Sequence, residues 1–143
     1  MKDFLDMISQ YSASNDLLFE ATVGVLGRVA DLLEDDPRET NYELLVPAEP
    51  VAASYEGFLT TLHFEKVEGQ GRLRICREHN VLMISGDSAD CSTFAANIRF
   101  LQEEALSRPS MRSVLHLHIE YFPNHPYLDP NSDPLVIYIK EKI

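Results

Sequence analysis

Apolar residues recur at helical spacing in the first third of the chain. Within residues 3–34 they stand three or four positions apart, as on the buried face of an amphipathic helix: Leu18, Ala21, Val25, Val29 and Leu32. The acidic run that follows predicts the end of this helix. Gly24 and Gly27 each cost roughly 1 kcal/mol against alanine inside a helix. They therefore weaken the prediction, or they mark a close helix contact.

Alternating apolar and polar positions predict three strands in the middle of the chain, over residues 57–67, 72–76 and 81–85. Residues 68–71 contain two glycines and favour a hairpin turn between the first two of these strands. Residues 41–53 are rich in proline and glutamate, so we expect a surface loop there.

The clearest helical pattern begins near residue 87. Asp87 or Ser88 provides the N-cap, and Arg108, Pro109 and Ser110 predict the end of the helix. Between them, a mostly apolar stripe runs at spacings of three and four: Phe94, Ala95, Ile98, Leu101, Gln102 and Ala105. Residues 114–121 and 135–140 predict two closing strands.

The order of these elements is helix, three strands, helix and two strands. It predicts an α+β fold in which a mainly antiparallel sheet of about five strands carries one helix on a face. At this length we expect a single domain over residues 1–143. Residues 1–50 form its acidic, mostly helical N-terminal segment, and residues 55–143 form a core with the order ββ-β-α-β-β. The sequence shows no internal repeat.

The charge of the chain is unevenly distributed. The net charge is −11. Residues 1–50 hold eleven acidic and three basic side chains, a net of −8, and residues 51–143 hold twelve and nine, a net of −3. Such a surface repels nucleic acid and anionic membrane, and it speeds the encounter with a basic protein. The alternative explanation is that the negative charge only keeps the protein soluble.

The localisation that we expect is the cytoplasm. No apolar run approaches the roughly 20 residues that cross a bilayer. The first eight residues carry one lysine and two aspartates, which is unlike a secretion signal. Two cysteines are too few for a secreted disulfide scaffold.

One constellation of polar residues has the composition of a site. His116, His118 and Glu120 share one face of a predicted strand, and Leu115, Leu117 and Ile119 share the other. Polar side chains on the solvent face of a half-buried sheet are the ordinary explanation, and contact with a partner is the second. Two imidazoles and a carboxylate also suit zinc or iron. Three ligands along one straight strand converge poorly, however, and the sequence specifies no fourth.

Nucleophilic catalysis has weaker support. Cys91 lies in the first turn of the second helix, where a helix N-terminus lowers a thiol pKa, so it is a better candidate than Cys76. The sequence places no base beside it, and an inert thiol is the more common case. No glycine-rich phosphate loop precedes a helix. We predict no catalytic residue and no cofactor.

Four successive segments in the second half of the chain resemble a known family. They are Val81 to Gly86, the amphipathic helix that follows, Leu115-His-Leu-His-Ile-Glu120, and Leu128-Asp-Pro-Asn-Ser-Asp-Pro-Leu-Val-Ile137. Together they resemble immunity protein family 32 of bacterial polymorphic-toxin systems. The resemblance covers somewhat under half of the chain, about residues 81–139, and leaves the acidic first third unmatched. It implies a short α+β protein that neutralises the cognate toxin of its own cell by tight binding.

The first hypothesis is therefore a stoichiometric binding protein whose partner is a toxin, and the acidic surface favours a basic one. The candidate contact residues are Asp31, Glu34, Asp35, Asp36, His116, His118 and Glu120. The second hypothesis is a small metal-binding protein or metalloenzyme that uses the His-x-His-x-Glu strand. The third is a homodimer formed through the wetter sheet face or an edge strand.

Overall fold

The computed structural model describes residues 3–35, 39–48 and 55–140. Within those ranges the chain forms ten strands, two α-helices and a short 3₁₀-helix over Pro109–Met111. In chain order the strands and α-helices are β1 (Asp3–Leu5), β2 (Met7–Tyr11), β3 (Leu17–Ala21), α1 (Val23–Asp35), β4 (Glu39–Leu44), β5 (Gly57–Leu59), β6 (Thr61–Lys66), β7 (Arg74–Glu78), β8 (Val81–Gly86), α2 (Ser88–Ser107), β9 (His116–Ile119) and β10 (Leu135–Ile139).

The strands form two mixed sheets of five strands each. Sheet 1 has the order β1-β4-β6-β8-β7, and sheet 2 has the order β5-β2-β3-β10-β9. The pairs β1–β4, β6–β8 and β3–β10 are parallel, and the others are antiparallel. The prediction of one mainly antiparallel sheet with an N-terminal helical segment is therefore wrong.

The first third of the chain differs most from its prediction. Residues 3–21 form three strands, and the helix begins only at Val23. In β3, Leu17, Phe19 and Ala21 are buried, whereas Leu18 is only half-buried on the other face. The spacing between Leu18 and Ala21 fits a helix, but the strand puts these residues on opposite faces. Apolar residues on both faces of β3 thus imitate helical spacing.

Two connections also differ from the prediction. Residues 39–44, part of which we expected to be a loop, form β4 and pair with β6. The predicted hairpin between β6 and β7 does not form, because β6 pairs in parallel with β8 and β7 lies on the far side of β8. The hairpin joins β7 and β8 instead, and His79 adopts a left-handed φ of 56° in its turn.

The topology contains a repeat that the sequence does not show. Each half of the chain gives an antiparallel hairpin, a helix and a second antiparallel pair: β2-β3-α1-β4-β6 and then β7-β8-α2-β9-β10. The second pair of each half joins the hairpin of the other half, through β3–β10 in sheet 2 and β6–β8 in sheet 1. The two halves therefore complete each other's sheets.

The second helix was predicted accurately. Asp87 caps it by accepting a hydrogen bond from the N–H of Asp90 at 3.0 Å. The apolar stripe on α2 is buried and joins α1 and the inward residues of both sheets in one core. The buried stripe consists of Cys91, Phe94, Ala95, Ile98, Leu101 and Ala105.

The outer edge of β7 is covered by residues 127–133. Backbone bonds join Leu73 to Tyr127 and Asp129, at 2.9 and 2.7 Å. Further along, side chains complete the cover: the N–H of Ile75 donates to Ser132 Oγ and that of Arg77 to Asp133 Oδ2, both at 3.0 Å. Residues 127–133 therefore cover the β7 edge of sheet 1.

Candidate functional site

The histidine strand is β9, at an edge of sheet 2. His116, His118 and Glu120 are exposed, whereas Ile119 is buried and Leu117 is half-buried. The predicted alternation is confirmed: the polar residues lie on the outer face of the sheet, and the apolar residues face the core.

Aromatic rings cluster on that outer face. The rings of His116 and His118 lie 4.9 Å apart between centroids, nearly perpendicular at 82°. Tyr138 of β10 pairs with His116 across the sheet, and their ring centroids are 5.6 Å apart. His116 Nδ1 donates to the carbonyl of Val114 at 2.9 Å. The sequence did not reveal Tyr138 as a neighbour, because the register between β9 and β10 is a tertiary feature.

The structure gives the metal hypothesis no support. The described ranges contain no group of three or more His, Cys, Asp or Glu side chains placed to hold a metal ion. A stable zinc site needs three or four convergent protein ligands. His116 and His118 provide two imidazoles, and Glu120 lies one residue beyond the end of β9.

Two of the acidic candidates are engaged within the protein. Arg99 of α2 donates through Nη2 to Asp31 Oδ1 at 2.7 Å and to Glu34 Oε1 at 2.5 Å. These hydrogen bonds, first to Glu34 and then to Asp31, raise the pKa of Arg99 above its usual value. Asp35 is the last residue of α1, and Asp36 lies outside the described residues. One guanidinium therefore neutralises part of the acidic end of α1 and ties it to α2.

The structure does not bring the two sets of candidate contacts together. Asp31 and Glu34 lie on α1, where they contact α2. His116 and His118 lie on the outer face of sheet 2, on the side away from the core. A partner that contacts both sets has to span two different surfaces of the molecule.

Neither thiol has the environment of a nucleophile. Cys91 is fully buried, and burial raises its pKa to about 11, which outweighs any effect of the helix N-terminus. Burial also raises the pKa of Cys76, which is half-buried. The expectation that Cys91 is the more reactive thiol is wrong, because side-chain burial depends on tertiary packing.

Sequence reasoning also missed the aromatic cluster in the loop between β9 and β10. His125 is buried there among the rings of Tyr121, Phe122 and Tyr127, at centroid distances of 6.4, 4.7 and 4.7 Å. Phe94 of α2 extends the cluster, 6.1 Å from Tyr127. The sequence does contain a signal for this cluster, since Tyr121, Phe122 and Tyr127 all lie within four residues of His125.

Part of the chain matches the model of a known protein family. Neither helix in the described ranges has the length and apolar character needed to cross a membrane. No curated protein and no solved structure gives a significant match to the chain. Residues 81–140, which hold β8, α2, β9 and β10, match the family model Immunity protein 32, and this match confirms the resemblance seen in the sequence.

Proposed function

We propose that this protein is an immunity protein that neutralises a cognate toxin by forming a stoichiometric complex in the cytoplasm of the bacterium that makes the toxin. The observation that carries the proposal is the match of residues 81–140 to Immunity protein 32. The matched segment includes β9 with its exposed histidines. Inhibition of this kind requires a surface that fits the toxin, and it requires no reaction centre of its own.

The net charge of −11 favours a basic toxin. Opposite charge accelerates diffusional encounter, and salt screens this effect. A toxin that acts on nucleic acid carries such basic charge. On this proposal the association rate falls steeply with ionic strength, whereas the dissociation rate changes little.

The outer face of β9 is the first candidate contact surface, because His116, His118 and Glu120 are exposed and lie inside the matched segment. The acidic end of α1, with Asp31, Glu34 and Asp35, is the second, and Asp36 follows it in the sequence. It lies outside the matched segment.

The test is co-expression with the toxin domain encoded immediately upstream in the source genome. We expect growth rescue and a one-to-one complex on co-purification. The double variant His116→Ala, His118→Ala should weaken binding at least tenfold if the β9 face is the contact. Asp31→Asn with Glu34→Gln tests the α1 surface in the same way.

The matched controls are His79→Asn, an exposed histidine in the β7–β8 turn, and Glu103→Gln, an exposed carboxylate on α2. Both should leave binding unchanged. Toxicity that the wild-type chain does not relieve would contradict the proposed function.

A further inference from the structure

We infer that two copies of this chain associate by antiparallel pairing of their β9 strands. The inference goes beyond the proposed function and does not depend on it. The starting point is the edge of sheet 2: in the described ranges β9 pairs with β10 on one side and with no strand on the other. The corresponding edge strand of sheet 1, β7, is covered by residues 127–133. An uncovered edge strand offers unpaired N–H and C=O groups to another strand.

The core beneath β9 is also incomplete. Leu115 and Leu117 face inward but are only half-buried, whereas Ile137, the partner of Leu117 on β10, is fully buried. Ile137 lies on β10, which has a neighbouring strand on each side. Leu117 lies on β9, which has a neighbouring strand on one side only. A further strand beside β9 would cover these leucines, and each buried CH₂ contributes about 0.8 kcal/mol.

Exposed apolar residues bracket this edge in the chain. Met111 and Val114 precede β9 and are 40% and 57% exposed, and Phe122 follows it at 53%. Single exposed apolar residues are common on protein surfaces. Here three of the seven large exposed apolar side chains that the structure describes stand within five residues of one open strand.

The charge of this region favours a second copy as the occupant. Like-charge repulsion opposes association between two copies that each carry −11. Residues 105–128 contain one of the 23 acidic residues of the chain, Glu120, so this stretch adds little to that repulsion.

Strand geometry restricts the register. Directly opposite residues in an antiparallel pair point to the same face, so a two-fold axis perpendicular to the sheet must pass between one residue of β9 and the same residue of the copy. With the axis at Leu117, His116 lies opposite His118 of the copy. With the axis at His118, that histidine lies opposite its own copy. In both registers imidazoles of the two copies lie side by side on the outer face. Beneath them Leu117 meets its own copy in the first register and Ile119 of the copy in the second.

The first measurement is sedimentation equilibrium of the full chain across a range of concentrations. We expect a monomer–dimer equilibrium with species of 16.2 kDa and twice that mass. The double variant His116→Glu, His118→Glu places carboxylates opposite one another in either register and should raise the dimer dissociation constant at least tenfold. Both positions are exposed in the monomer, so its fold should be retained. The control His79→Glu should leave the constant unchanged.

Disulfide trapping identifies the interface itself. In a Cys76→Ser background, the substitutions His116→Cys and His118→Cys should give an interchain disulfide under mild oxidation. The control in the same background is Arg74→Cys, an exposed position on β7 whose edge is covered. A chain that stays monomeric at all concentrations would overturn the inference, and so would equal cross-linking in the control. Toxin binding is measured separately, so loss of one association is distinguishable from loss of the other.

Discussion

His125 Nδ1 accepts a hydrogen bond from the backbone N–H of Leu128 at 3.0 Å. The same atom accepts a second from the N–H of Tyr127 at 3.2 Å. Nδ1 is therefore unprotonated, and the proton of the neutral ring is on Nε2. Burial, followed by the positive charge of Arg72, lowers the pKa of His125. This histidine organises the loop that leads to residues 127–133 and so to the cover of β7.

We predict that protonation of His125 destabilises the protein. Because its folded pKa lies below the unfolded value of about 6.5, the unfolded state binds the proton first as the pH falls. The stabilisation is fully present above about pH 6.5 and is lost as the pH drops toward the lowered folded pKa. Urea unfolding between pH 7.5 and 5.5 should show the free energy of unfolding decreasing.

His125→Asn is the control for this prediction. Its amide oxygen accepts the same backbone hydrogen bonds without titrating, so its unfolding free energy should depend less on pH in that range. His125→Ala leaves two buried N–H groups unsatisfied and should cost about 1–3 kcal/mol above about pH 6.5, where the wild-type stabilisation is fully present. An identical pH dependence in the wild type and His125→Asn would contradict the assignment.

Asp133 stabilises the edge of sheet 1. Its Oδ2 accepts from the backbone N–H of Arg77 at 3.0 Å, and its own N–H donates to Ile75 at 2.7 Å. Asp133→Ala should lower the free energy of unfolding by about 1.5–3 kcal/mol, since a hydrogen bond to a charged group is lost. It should also increase aggregation, because it opens an edge strand. Asp133→Asn retains an acceptor, and light scattering should show it aggregating less than the alanine variant.

The two glycines of α1 should respond differently to alanine. A Cβ at Gly24 would meet no atom within 4 Å, whereas one at Gly27 would lie 2.5 Å from Nε2 of Gln102. That Nε2 donates to the carbonyl of Val23 at 3.1 Å, so the side chain moves only by losing this bond. Gly24→Ala should stabilise the protein by about 0.5–1 kcal/mol.

Gly27→Ala should therefore be less stable than Gly24→Ala by about 1 kcal/mol, the usual contribution of one hydrogen bond. Thermal or urea unfolding of the two variants gives the difference. Equal stabilisation by both substitutions would show that the Gln102 side chain moves without lowering the free energy of unfolding. The suggestion that the glycines mark a close helix contact is confirmed for Gly27, and Gly24 stands in open space.

Cys91 should not react with thiol reagents in the folded protein. It is fully buried, and its pKa of about 11 leaves almost no thiolate at pH 8. In a Cys76→Ser variant, labelling at pH 8 should appear only when urea unfolds the chain. Rapid labelling of the native variant would contradict this expectation.

The sequence by itself determined those elements whose pattern is local. The cap at Asp87 and the buried stripe on α2 follow from residue spacing alone, because a helix of 20 residues repeats its period several times. The two faces of β9 follow in the same way from strict alternation between His116 and Glu120. The family resemblance over the last part of the chain depended on these same segments.

Only the tertiary structure decided how the strands pair and where the candidate contact residues lie. Strands of five residues with apolar side chains on both faces, such as β3, resemble a helix in sequence. Their identity is set by partners more than a hundred residues away, as in the pairing of β3 with β10. The ion pairs of Arg99 with Asp31 and Glu34 form across 68 and 65 residues, and no local pattern specifies them. The sequence supplied the candidate contact residues, but it did not show that they lie on two surfaces, because long-range packing rather than local periodicity places them.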